Sequence, residues 1–246
     1  MISGAAIGSS PVVRPFFNRG GGVVPLAPNM WQGLGATPAN NAGGIATISI
    51  PNLGIANGET IFTAIVLDNA VNVDGLGGNL TFAGNVMNLG GPDIFGANGI
   101  FLAYLGNNTG ADMVGSIVYD FTTSTGEPTK ASIITSRVST LLVSAASLDR
   151  KKTATGTGTN QSSTATVNTT QAKEFCWGII GTNGATGDTL GAWQNGFTAG
   201  QRGNNTSAFD LKEGYLFVNA VGNYTAQVTG ATSRNWRATI ETFKGV

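Results

Sequence analysis

The side chains that could do chemistry here are few in kind. Of 246 residues, thirteen are Asp or Glu, thirteen are Lys or Arg, one is cysteine and none is histidine. Without histidine, Ser-His-Asp and Cys-His machinery is excluded, and so are histidine-based zinc and iron centres. Carboxylate chemistry remains, since two acids facing each other across a cleft can hydrolyse a glycoside. Nothing in the sequence brings two of the acids to one place. Asp68-Asn69, Asn72 and Asp74-Gly75 gather oxygen ligands in one stretch, which invites calcium. Their spacing misses the twelve-residue calcium loop and its closing Glu, and such clusters are ordinary turn chemistry. Cys176, alone between Phe175 and Trp177, reads as a small core residue. Walker loops are absent, and the Gly-rich stretches neither follow a strand nor open a helix. Asn-x-Ser/Thr triplets at Asn79, Asn107, Asn168, Asn204 and Asn223 are expected by chance in a chain so rich in Asn and Thr. The expectation is a protein that is not an enzyme and holds neither cofactor nor metal.

The elements that must carry these residues are strands. Glycine, at 37 residues, is about twice its ordinary share, while charged residues make up only 11%. Solvated helices need charged helix formers, which are scarce; turn formers and β-branched residues are plentiful. Residues 60–67 form a nearly continuous apolar run, as in a strand buried on both faces. Residues 45–50 alternate and stop at Pro51-Asn52, and residues 79–83, 99–105, 115–122, 131–143 and 174–180 read as further strands. Helical spacing competes only over 138–148. The ending, residues 215–243, reads as a strand to 221, a turn at Gly222-Asn223, a strand over 224–228, a break over 229–233 and a last strand. The stretch at about 151–171 is Thr, Ser, Gly and Asn with few apolar side chains, and is expected to be an exposed loop. Residues 181–205 are loop-rich; Trp193 and Phe197 there either plug a sandwich end or contact a partner. The predicted fold is an all-β antiparallel sandwich, jelly-roll-like, over residues 45–246.

Residues 1–44 read differently, as an extended N-terminal arm. Pro11, Pro15, Pro25, Pro28 and Pro38, with Gly20-Gly21-Gly22, break regular structure, yet Phe16, Phe17 and Trp31 make the stretch too apolar for a free tail. It rests either on its own domain or on a neighbouring subunit. Formal net charge is zero, which gives no global field to attract nucleic acid or an anionic membrane. Up to Thr129 seven acids accompany two arginines; from Lys130 onward eleven bases accompany six acids. Both sets can be dispersed on one surface, or they can form complementary faces between subunits. No apolar run reaches the roughly 20 residues of a membrane span, and the first ten residues lack a secretory h-region. A soluble protein made in a cytoplasm is expected.

Two stretches carry a resemblance. One is Ala46-Thr-Ile-Ser-Ile-Pro followed by Asn57-Gly-Glu-Thr-Ile-Phe-Thr-Ala-Ile-Val-Leu. The other is Glu213-Gly-Tyr-Leu-Phe-Val-Asn-Ala-Val-Gly-Asn-Tyr-Thr-Ala-Gln-Val, ending in Asn235-Trp-Arg-Ala-Thr-Ile-Glu-Thr-Phe-Lys. Their pattern, over residues 45–246, resembles the Gly/Ala/Thr-rich β-sandwiches of tailed-bacteriophage virions, found in capsid decoration and tail structures. The resemblance implies a virion structural protein, assembled in the host cytoplasm. A decoration (cement) role would make the major capsid protein, copies of this chain, or both its partners, with Arg14, Phe16, Phe17, Arg19 and Trp31 of the arm as anchors. A tail or fibre role is the alternative, with Trp193 and Phe197 offering a platform to a receptor or glycan.

Overall fold

The computed structural model describes residue 23 and residues 30–68, 80–95, 98–121, 126–139, 147–166, 168–183, 190–205 and 209–244. Arg14, Phe16, Phe17, Arg19, most of the calcium-like stretch and residues 140–146 lie outside the described residues. In chain order the strands are β1 (Trp31–Asn40), β2 (Thr47–Ile55), β3 (Thr60–Leu67), β4 (Leu80–Phe82), β5 (Asn85–Val86), β6 (Asn88–Phe95), β7 (Asn98–Gly106) and β8 (Met113–Asp120). They continue as β9 (Lys130–Val138), β10 (Leu148–Ser162), β11 (Lys173–Asn183), β12 (Leu190–Trp193), β13 (Thr198–Asn205), β14 (Phe209–Asn219) and β15 (Gln227–Lys244). The protein is all-β, and every strand pairing among the described residues is antiparallel. Among the described residues no helix is long and apolar enough to cross a membrane.

Among the described residues the expected sandwich is built of three stacked sheets. The middle one runs β1-β9-β3-β7-β6, and all eight residues of β3 are buried. Period two divides that strand between two cores. Ile61, Ile65 and Leu67 face the four-stranded sheet β2-β8-β4-β5 and meet Ile48, Ile50, Phe82, Ile117 and Tyr119. Phe62, Ala64 and Val66 face the six-stranded sheet, ordered β10-β15-β11-β14-β13 with β12 added on β15. Phe62 is the hub of that second core, its ring 5.0–5.3 Å from those of Trp177, Phe243 and Phe175. Burying each such side chain contributes about 1.5–3 kcal/mol, so a strand with two buried faces anchors the whole stack.

The outer face of the six-stranded sheet has a third core of Cys176, Ile180, Val218, Val228, Trp236 and Ile240, with Trp193 and Phe197 laid over it. Gly178 and Gly214 face each other across β11 and β14. A Cβ at either would meet the Trp193 ring, at 3.2 Å and 2.4 Å, so two adjacent glycines make the trough in which the indole lies. Trp193 and Phe197 are stacked core residues, 9% and 6% exposed.

Several sequence expectations are corrected. The Thr-rich stretch assigned to a loop is largely β10, a 15-residue edge strand paired along β15. Thr favours strands through its branched Cβ, and β10 has β15 on one side only, so its lack of apolar side chains does not prevent pairing. The remainder closes the third core through reciprocal bonds. Ser163, Thr166 and Thr169 each donate a backbone N–H, to the carbonyls of Ala226, Tyr224 and Gly222. Their hydroxyl oxygens accept the N–H groups of those same three residues. β15 runs unbroken through 229–233, where the irregularity appears instead as a register shift opposite Gly158/Asn160. Residues 221–226 are not strand. β2 passes Pro51 through a bulge between Ile50 and Leu53, with Asn52 at a φ of 57°. Asn107 is fully buried, its amide donating to the carbonyls of Ile55 and Ala111, and is no glycan acceptor in this fold.

Part of the expected 1–44 arm is described, and that part pairs into the body. Residues 31–40 are β1, an edge strand of the middle sheet, registered on β9 from Trp31↔Val138 to Asn40↔Lys130. An edge strand needs ladder donors on one side only, which is how Pro38 is tolerated. Ahead of it the Ser139 N–H donates to the Met30 carbonyl, the Met30 N–H donates to the Ser139 hydroxyl, and the Val23 N–H donates to Asp112.

Candidate functional site

Where β1 ends the middle sheet and β13 ends the six-stranded sheet, the two edges leave a cleft of about 470 Å³ lined by residues 31–35, Gly200 and Gln201. Its geometry is set from below by Glu213. On β14 the inward parity is Phe209, Leu211, Glu213, Tyr215 and Phe217, so the strand that feeds the second core delivers a carboxylate into it. Glu213 is 1% exposed. Its Oε1 accepts from the Ser136 hydroxyl at 2.6 Å, from Trp177 Nε1 at 2.8 Å and from Trp31 Nε1 at 3.4 Å. Its Oε2 accepts the Gln201 backbone N–H at 3.1 Å. Burial pushes its carboxyl above the usual range, and these four donors oppose the shift.

The cleft wall is held as tightly. Trp31 stacks on Tyr215 with ring centroids 4.8 Å apart and planes at 12°. Burial, then the nearby Glu213 charge, raises the Tyr215 phenol. A Cβ on Gly200 would stand 2.8 Å from Glu213 Oε2, so glycine lets β13 close over the carboxylate. A Cβ on Gly33 would overlap the Gln201 amide, which lies across the β1 backbone there. The Gln32 amide oxygen accepts from Arg137 Nε at 2.8 Å. Arg137 continues to Glu59 at 3.0 Å, a buried ion pair at 8% and 3% side-chain exposure. The cleft is therefore neutral at its surface, with one carboxylate and one ion pair beneath it.

Of the residues singled out from sequence, Trp31 lies in this cleft, stacked on its own domain. Trp193 and Phe197 lie in the third core, away from it. Glu213, Ser136, Trp177, Tyr215 and Gln201 were not singled out. The available signal was an acid on the apolar parity of β14. Asp149 accepts from the Thr170 hydroxyl and amide, and Glu174 accepts the Gln171 N–H nearby. Burial raises Glu174. It acts against Asp149 also, but there hydrogen bonds from the Thr170 hydroxyl and amide prevail and the carboxyl is lowered. Asp68, the one described member of the calcium-like stretch, accepts from the Thr129 hydroxyl and from the Thr129 and Lys130 amides. Among the described residues no cluster of three or more Asp, Glu or Cys is placed to hold a metal. No protein-family model matches this chain, and neither does a curated protein or a solved structure.

Proposed function

We propose that this chain is a non-enzymatic structural protein of a tailed-bacteriophage particle, a decoration protein bound to the shell. Its partners are the major capsid protein, further copies of itself, or both. The observation that carries the reading is how the N-terminal stretch joins the body. Val23 bonds to Asp112 and Trp31 begins β1, and these residues follow a stretch, residues 1–22, that lies outside the described residues. That stretch contains Arg14, Phe16, Phe17 and Arg19, aromatic and guanidinium groups of the kind that dominate interface energetics. Several acids also serve the body itself: Glu59 holds Arg137, Asp210 holds Arg202, and Glu213 joins β14 to β1, β9 and β11. That use of charge suits binding better than catalysis.

For the tail or fibre alternative, the burial of Trp193 and Phe197 offers less support than the decoration reading has. Deleting residues 1–22 is expected to abolish attachment to particles while the body keeps its melting transition. Normal attachment of the truncated chain would overturn the arm's role. A deletion of 1–44 would not test it, because β1 would go too and expose the second core beside Tyr215.

A further inference from the structure

We infer that the cleft between β1 and β13 is a binding site for a neutral, polyhydroxylated ligand, a short oligosaccharide segment. Its volume, about 470 Å³, lies within the range of small-ligand sites. The groups lining it set the chemistry. Trp31 has one face on Tyr215, so its plane is fixed and its other face or edge is what a ligand can meet. Apolar C–H faces of a sugar ring suit such a surface. The carboxamides of Gln32 and Gln201 each combine donors and an acceptor, which match vicinal hydroxyls. Gln32 is oriented by Arg137, leaving its NH2 to offer.

Charge excludes other ligands. Residues 31–35, Gly200 and Gln201 include no cation, and Glu213 lies directly beneath Gly200. A phosphate or carboxylate entering here would find no cation among the described lining residues and would approach a buried acid. An added peptide strand is disfavoured by the edges themselves. The pairing of β1 shifts register between Gly33 and Gly35, and that of β13 between Ala199 and Arg202. Neither edge keeps the regular ladder that strand addition uses at the place where the cleft opens. The inference holds for a shell or a tail position alike.

The test is a glycan array probed with the full chain and with two variants, Gly33→Ala and Gln201→Ala. Gly33→Ala puts a methyl where the Gln201 amide lies, and only the end of a flexible side chain must move. Gln201→Ala keeps the backbone N–H that serves Glu213. Both variants are expected to melt like the parent. The parent should bind one or more neutral oligosaccharides, and each variant should weaken that binding by about tenfold or more. Failure to bind any neutral glycan overturns the inference. So does binding confined to anionic glycans, or binding that survives both substitutions.

Discussion

Glu213→Ala is expected to destabilise the fold by about 3–5 kcal/mol, as for removing one member of a buried charged network. The Ser136 hydroxyl, the Trp177 and Trp31 indole N–H groups and the Gln201 amide would all lose their acceptor inside a buried site. Each buried donor left unmet costs about 1–3 kcal/mol. Glu213→Gln is milder, about 1–2 kcal/mol. One oxygen keeps three donors, and only the Gln201 N–H then faces an NH2. Denaturant unfolding separates the two variants. The pH dependence has a definite sign. Burial raises the Glu213 carboxyl above its usual 4.5, so the folded state holds this proton more tightly than the unfolded state does. The stability it contributes is fully present below pH 4.5 and is lost as pH rises through the raised folded value. Parent stability minus that of Glu213→Gln should therefore fall with rising pH across that window. A flat difference would show that the carboxyl titrates normally.

Arg137→Ala is expected to cost about 3–5 kcal/mol by stranding Glu59. One guanidinium serves three elements: Glu59 just before β3, Gln32 of β1 and the Gly54 carbonyl of β2. It thus ties the middle sheet to the four-stranded sheet at the end where β1 docks. Glu59 also accepts the Ala56 N–H at 2.9 Å, so its carboxylate fixes the turn into β3. The double change Arg137→Met with Glu59→Met removes both charges and should recover much of the loss, because the desolvation penalty goes with them. Chemical denaturation of the singles and the double gives the coupling energy. If the double variant is as unstable as the sum of the singles, the ion pair is not the unit argued here.

How much of this could be read beforehand follows from the range of each signal. β3 was legible because eight buried residues in a row leave a mark within the strand itself. The alternation of β14 was legible for the same reason. β10 was not, since a Thr-rich strand with a partner on one side only has the composition of a loop, and its partner β15 is distant in sequence. β1 was hidden by Pro38 and by the proline-rich residues before it, though an edge position admits both. The third sheet could not be foreseen, as composition does not say which faces will meet. Glu213 was half legible, an acid on a core-facing parity. The cleft above it was not, because Gly33 and Gln201 are 168 positions apart and meet only through sheet packing. Trp31, expected as an arm anchor on a partner, stacks on the chain's own Tyr215.

The copy number of this protein in purified phage particles, measured by quantitative mass spectrometry against the major shell protein, tests the central claim most directly. A decoration protein should be present in hundreds of copies, in fixed ratio to the shell lattice. A handful of copies would move it to the tail, and complete absence from particles would contradict a virion role altogether.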